Sequence, residues 1–449
     1  LGSWRYGWWL VSLVHVVVLL AAHQDIAWPD SQVYLRMAQN LWDHGVLSQL
    51  SQPTPSLHPE THRLPGYPVF LLLMGTGLSA SFGTAMALVL QHALVLVNGV
   101  LVGRLLKPHI SAHGAQGAGR LYALMPYTLI FANLLLTETL FITLMLALVR
   151  VWQRAWLRQG GIRWTDALLM AVLGLAATSL KGLALPVYGL AAGSLGVRWL
   201  IRQWLGKLGW QPLTGHVLGL LVLLAGLGGW MARNQAVSGQ FTLSTAQHIP
   251  WWYGRLGGVL ALQSGEDFTD ATLIRLATAF GEANIPPGDS LYTYPAPQLT
   301  DLEFQRLHPD AKAAGRAYLA EHWLRTLQLH AWAVVQQWQG VGYGTWRRQT
   351  GAEVVAVGAA IVQAVFNLWL LAGLVRYGWR LGCRRPEYRV PALLHLCVAI
   401  ALVFMLLHAA AWADGRYRII ADPFMWVVTV WGLRARPSGH HRCCASHGK

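Results

Sequence analysis

The chain has 449 residues, 54% of them hydrophobic and only 12% charged, and it carries 23 tryptophans. That composition excludes a soluble globular domain and indicates a polytopic membrane protein. The formal net charge of +15 is not a nucleic-acid footprint, because the basic residues sort by side of the membrane.

Apolar segments that can span a bilayer run, in order, at about 4–24, 84–106, 119–136, 138–157, 164–180, 182–200, 213–231, 353–375, 390–412 and 417–433. With the N-terminus placed inside, the connections at 101–120, 150–163, 198–211 and 376–389, with both termini, hold 20 of the 34 Lys and Arg against one acid, Glu387, with Asp166 just past the second connection. This is the positive-inside pattern. The first segment lacks a small-residue cleavage site before its polar boundary and is expected to be a retained helix. Cys383, Cys443 and Cys444 fall on the inner side and Cys397 within a span, so no disulfide framework is implied.

The first outer loop, 25–66, opens with WPDSQVYLRMAQNLWDHG. Val33, Tyr34, Met37, Ala38, Leu41 and Trp42 predict an amphipathic helix lying along a surface. Asp30 stands where a helix N-cap belongs; it is either such a cap or a catalytic carboxylate. The loop closes on HPETHRLPGYPVFLLLM, whose apolar run to Leu78 is too short to cross and is expected to be re-entrant or interfacial. His58, Glu60 and His62 are weak candidates for a divalent metal, two histidines in a loop being more often solvated.

Thr137, Glu138 and Thr139 make a tight outer turn between two spans. Glu138 serves there as a first-turn acid capped by Thr137, or as a second acid beside Asp30. Lys181-Gly182 breaks the apolar run from 164 to 200 at the outer surface, where a lysine either snorkels or marks a site. The large outer loop, 232–352, begins with Arg233 and Asn234. Ser238-Gly239 is expected to turn a hairpin into the alternating Phe241 and Leu243. Leu319, Trp323 and Leu327 recur every four residues, as on a helix lying on the bilayer. The loop as a whole is expected to be a cover rather than an independent domain. The last outer turn, DGRYRIIADPF, sets Arg416, Tyr417 and Arg418 at the mouth of the final span with Asp422 one turn inside, where a local Arg to Asp422 pair is the plain alternative to a ligand role. There is no internal repeat, P-loop, Rossmann fingerprint or zinc spacing.

Two acids, Asp30 and Glu138, thus share the outer face with Arg63, Lys181, Arg233, Arg255, Arg416 and Arg418. Transfer of a sugar from a lipid phosphate needs this pairing: a carboxylate to take the acceptor proton, and cations for the charge growing on the departing phosphate. PDSQVYLRMAQNLWDHG, HRLPGYPVFL, PYTLIFANLLLTETLF, SLKGLALP, GGWMARNQAVSGQFTLST and GRYRIIADPF resemble, in order, the motifs of GT-C glycosyltransferases of the protein mannosyltransferase and lipid A aminoarabinose transferase group. The resemblance implies an all-α polytopic membrane protein, a bundle of about ten transmembrane helices with amphipathic surface helices in the extracytoplasmic loops. Residues 1–433 would form that single domain and 434–449 a cytoplasmic basic tail.

The resemblance further implies an inverting enzyme that uses a polyprenyl phosphate-linked sugar. Asp30 would be the base, with Glu138 as the second acid. Lys181 and Arg233 would lie near the donor phosphate, helped by Arg63, Arg416, Arg418 and Arg255. Tyr34, Tyr67, Asn234 and Tyr417 would line the substrate. No cofactor is required, and membrane lipids but no nucleic acid are expected as partners. The implied location is a bacterial inner membrane, with the active site on the extracytoplasmic face. Ser31 stands where protein O-mannosyltransferases carry a second adjacent acid, and a short basic tail stands in place of the soluble C-terminal region of the lipid A enzymes, which leaves the acceptor open. The competing readings are a polyprenyl-linked sugar transporter or flippase, disfavoured by nearly charge-free span centres and the lack of an inverted repeat, and a non-catalytic scaffold, disfavoured by the presence of Asp30, Lys181 and Arg233 in their motifs.

Overall fold

The computed structural model describes residues 2–21, 29–49, 59–159, 162–206, 211–246, 249–283, 306, 310–339, 347, 351–382, 390–409 and 415–434. It is all-helical, with no strand among the described residues. In hydrocarbon only a helix can satisfy a lone segment's backbone groups internally, so long apolar runs become helices. In chain order these are α1 (Gly2–Ala21), α2 (Pro29–His44), α3 (Gly66–Leu73), α4 (Ala80–Leu106), α5 (Ala112–Ala123), α6 (Pro126–Ala132), α7 (Glu138–Leu157), α8 (Trp164–Leu180), α9 (Ala184–Trp204) and α10 (Gln211–Ser238). A π-helical segment, Ile249–Leu256, leads into α11 (Gly257–Ser264) and α12 (Asp270–Ala283). Then come α13 (Ala311–Glu321), α14 (Trp323–Gln339), α15 (Glu353–Gly382), α16 (Ala392–Ala409), a 3-10 turn at Gly415–Ile420 and α17 (Asp422–Arg434).

Five helices are long and apolar enough to cross a membrane: α4, α7, α9, Leu213–Ser238 within α10, and α15. Of these α7 is the most buried, while α10 and α15 turn most of their surface outward. The main core runs from Tyr67 and Phe70 through Phe141, Met145 and Trp152 to Phe404, Phe424 and Trp426. A separate small core of Trp252, Tyr253, Leu256, Val259, Ala277 and Leu329 holds the outer segment together.

Four local expectations change. The span expected at 119–136 is two helices, because Met125 precedes a proline, is driven to φ −60, ψ 134, and leaves Pro126 to open α6. The hairpin at Ser238-Gly239 is absent: α10 runs through Ser238, and Gly239 at φ 73 ends it in the left-handed region. Leu319 lies on a different helix from Trp323 and Leu327, since His322 at φ −102, ψ 37 separates α13 from α14. Leu319 is buried while Trp323 and Leu327 are exposed. Asp422 is the first residue of α17 rather than a turn inside it, with Pro423 at the next position.

Candidate active site

α2, the N-terminal ends of α3 and α7 and the C-terminal end of α8 converge. α2 presses Met37 and Ala38 inward, both fully buried. Pro29 opens this helix, so Asp30 falls in its first turn rather than at the cap. Its carboxylate Oδ1 lies 2.9 Å from Arg63 Nη2. The Arg63 guanidinium also sits over the Tyr34 ring, 5.5 Å from its centroid. Burial works against the Arg63 charge, but Tyr34 and Asp30 outweigh it and its pKa is raised. Arg63 is therefore a fixed cation.

Tyr34 meets Tyr67 edge to face, with centroids 5.0 Å apart. Tyr67 is fully buried on the first turn of α3 and donates its hydroxyl to Gln91 Oε1 at 2.9 Å. Gln91 in turn donates Nε2 to the carbonyls of Ala132 and Leu134 at 3.0 and 2.8 Å, which ties α3 and α4 to the turn before Glu138. The approach of α3 to the end of α8 needs a glycine. A side chain at Gly66 would run into the backbone of Ser179.

Glu138 is 1% exposed and forms an ion pair with Lys181, Oε1 to Nζ 3.2 Å. Thr137, expected to cap α7, makes no cap bond and gives its hydroxyl to Glu138 Oε2 at 3.3 Å. Lys181 reaches the pair because it leaves the helix: at φ −147, ψ 122 it is extended, and its N–H still closes α8 on Ala177. Tyr67 lies within electrostatic reach of Glu138 as well as of Tyr34. Asp30, Arg63, Tyr34, Tyr67, Glu138 and Lys181 thus form one connected group.

Arg233 and Asn234 make a neighbouring clasp. Arg233 Nη1 donates to the backbone carbonyl of Glu60 and to Asn234 Oδ1 at 2.9 Å, and its guanidinium covers Trp230. Asn234 is fully buried and donates to Thr242 and Leu243 carbonyls at 2.8 and 3.2 Å. The segment after α10 then stitches to the first loop. Thr245 N donates to Thr61 O at 3.0 Å, their hydroxyls meet at 2.8 Å, and Ser244 Oγ donates to His62 O at 2.6 Å. Glu60 Oε1 accepts from the backbone N–H of His62 and Arg63 at 2.6 and 3.2 Å. Loop 59–63 is consequently fixed from both sides, with Arg63 at its end.

The remaining predicted residues stand elsewhere. Arg418 is 0% exposed. Its Nε donates to Asp422 Oδ1 at 3.0 Å, Nη2 donates to Asn367 Oδ1 at 2.7 Å, and the guanidinium lies between the rings of Tyr127 and Trp338. The local pair with Asp422 is what the structure contains. The side chains of Arg416 and Tyr417, and all of His58, lie outside the described residues. Arg255 lies in the π-helical segment beside the small core, where burial lowers its pKa and where it acts electrostatically on His330. Among the described residues no group of three or more His, Cys, Asp or Glu could hold a metal.

Sequence reasoning missed Gln91, Thr61, Thr245 and Ser244. Gln91 carried a usable signal, being an amide in an otherwise apolar span beside His92 and seven residues before Asn98.

The fold and the apolar helices define an all-helical integral membrane protein with a charged, partly buried site at one end of its bundle. No family model matches the chain, and no curated protein matches it. Among solved structures the chain is similar to the crystal structure of ArnT from Cupriavidus metallidurans in the apo state, at 16% identity and a TM-score of 0.39, covering 95% of this chain and 78% of that one. It is also similar to the crystal structure of the same ArnT bound to undecaprenyl phosphate, at 15% identity and a TM-score of 0.38, over 94% and 77% of the two chains.

Proposed function

We propose that the chain is an inverting glycosyltransferase that moves a monosaccharide from a polyprenyl phosphate to an extracytoplasmic acceptor, an envelope lipid, glycan or protein hydroxyl, at a bacterial inner membrane. The observation that carries this reading is the linked pair of ion pairs, Asp30 with Arg63 and Glu138 with Lys181, joined through Tyr34 and Tyr67. One carboxylate is accessible enough to meet an acceptor, at 20% side-chain exposure for Asp30 against 2% for Glu138.

In this reading Asp30 takes the acceptor proton while the acceptor oxygen attacks the anomeric carbon. The bond from that carbon to the phosphate oxygen breaks, and polyprenyl phosphate leaves with the electron pair. One displacement inverts the carbon. No general acid is needed, because a phosphate monoester is already a weak base. Charge grows on the leaving phosphate, and Arg63 and Lys181 are the cations placed to stabilise it. Without donor, Arg63 pairs with Asp30; an arriving phosphate competes for Arg63 and frees the carboxylate to act as base. Glu138 holds the Lys181 ammonium in place through their ion pair. Arg416 and Tyr417 would complete the phosphate and sugar contacts, with Arg233 and Asn234 holding the loop.

The test is transfer from a radiolabelled synthetic polyprenyl phosphate sugar by the purified chain in proteoliposomes. Asp30→Asn should fold and bind donor but lose transfer by roughly a hundredfold to ten-thousandfold. Unchanged transfer in that variant removes Asp30 as base. Saturable counterflow of the lipid-linked sugar with no covalent product in wild type replaces the transferase by a carrier.

A further inference from the structure

At the opposite end of α7 and α8 from the Glu138–Lys181 pair, four arginines gather around one acid. Asp166, in the first turn of α8, pairs with Arg158 and lies 3.5 Å from Arg154. A single carboxylate can neutralise only one of them. Arg198 and Arg202, one turn apart on α9, lean over the same connection. Arg198 Nη2 donates to the Arg158 carbonyl at 3.4 Å, and its guanidinium sits 4.7 Å from the Trp156 ring centroid. Arg202 Nη1 donates to the Gln159 carbonyl at 2.6 Å. Beside them is a shallow, open recess lined by Ala155, Ile162, Leu195, Trp199, His216 and the two arginines.

Two observations indicate what meets these arginines. Nη1 of Arg198 is buried and has no hydrogen-bond partner among the described residues. A desolvated guanidinium N–H without an acceptor is costly, and the excess of positive charge calls for an anion. The outward side of α9 beside these arginines is apolar and exposed, with Val197, Leu200, Ile201 and Trp204 at helical spacing. In a bilayer such a stripe meets acyl chains, and arginines at its end lie at headgroup depth. A soluble anion would use only the cations; a lipid uses both features.

We infer that Arg198 and Arg202, at the mouth of this recess, bind the phosphate of an anionic phospholipid of the Lys- and Arg-rich leaflet. Arg198 and Arg202 present planar donor forks to its oxygens, Trp199 and Leu195 back the headgroup, and one acyl chain runs along Val197, Leu200 and Ile201. The site is remote from Asp30 and independent of the glycosyl-transfer reading.

The experiment is lipid titration of the purified full chain by native mass spectrometry, with phosphatidylglycerol and phosphatidylcholine of equal chain length. Wild type should retain phosphatidylglycerol preferentially. Retention should fall on the order of fivefold in Arg202→Gln and again in Arg198→Gln/Arg202→Gln, with phosphatidylcholine unchanged. Arg376→Gln, an exposed arginine of α15 on the same face, should retain the lipid as wild type does. Equal retention by wild type and double variant, or an equal loss in Arg376→Gln, overturns the site. Displacement by inorganic phosphate at the lipid's own concentration assigns it to a free anion instead. If the double variant does not fold, the half-exposed Arg202→Gln alone decides the matter.

Discussion

Arg233, near the C-terminal end of α10, donates through Nη1 to the backbone carbonyl of Glu60 in loop 59–63. The guanidinium is a strap on the loop whose next ordered cation, Arg63, holds Asp30 at 2.9 Å. In the proposed reading its effect on chemistry runs through Arg63. Arg233→Ala leaves the Glu60 carbonyl and Asn234 short of a partner, at about 1–3 kcal/mol. The expected result is a lower melting temperature and faster proteolysis within 59–63, with sugar transfer falling mainly in kcat. A variant that keeps the loop protected and only raises KM for donor would mean that Arg233 touches the donor itself.

Glu138 and Lys181 pair at 3.2 Å with side-chain exposures of 2% and 15%. Removing one member strands the other charge, which costs roughly 3–5 kcal/mol. Lys181→Met and Glu138→Gln should each lose that order of stability, whereas the double variant should recover most of it, since a neutral pair strands nothing. Transfer should not recover with it, because the phosphate would still lack its ammonium. Thermal unfolding and turnover of the three variants check the two halves separately. Recovery of both in the double variant reduces the pair to a structural contact.

The ten apolar runs announced ten helical regions because length and hydropathy alone decide what hydrocarbon accepts. Two of them broke: 119–136 at a visible proline, Pro126, and 417–433 at Ala421, between the 3-10 turn and α17. Arg418 with Asp422 was legible as a pair four residues apart on adjoining helical turns. Asp30 with Arg63 was not, although both residues stood out. Their pairing depends on loop 59–63 being fixed by Thr61, Thr245 and Ser244, three hydroxyl side chains without individual signals. The role of Arg233 was hidden for the same reason, since its partner is a backbone carbonyl. Charges declare themselves in a membrane sequence; the carbonyls they bind do not.

His330 on α14 offers a pH test of the outer segment. Burial first, and then Arg255, lower its pKa below the ordinary 6.5, and its Nε2 has no hydrogen-bond partner among the described residues. The folded chain thus excludes a proton that the unfolded chain accepts. Its contribution to stability is complete above pH 6.5 and is lost as pH falls from there through the depressed folded value. The slope is at most about 1.4 kcal/mol per pH unit, reduced by solvent screening of a half-buried ring. His330→Gln should flatten the acid limb of the melting curve relative to wild type. Parallel limbs in the two proteins would remove His330 as the cause.

α4 and α5 touch backbone to backbone. Gly99 and Gly103 on α4 face Ala115 and Gly119 on α5, and a side chain at either Gly99 or Gly119 would strike the other's carbonyl oxygen. Small residues at this spacing let membrane helices approach closely. The contact extends to the last helix, since Trp426 Nε1 donates to Ala118 O at 2.9 Å beside it. Gly119→Ala must push α5 away, which costs about 1–3 kcal/mol in strain and lost packing. Gly117, two residues earlier on the same helix, has open space around it. Gly117→Ala should therefore be neutral or stabilising by about 0.5–1 kcal/mol through helix propensity alone. Thermal unfolding of the two variants in one detergent isolates the close approach from propensity. A Gly119→Ala protein as stable as Gly117→Ala would mean that the helices have room between them.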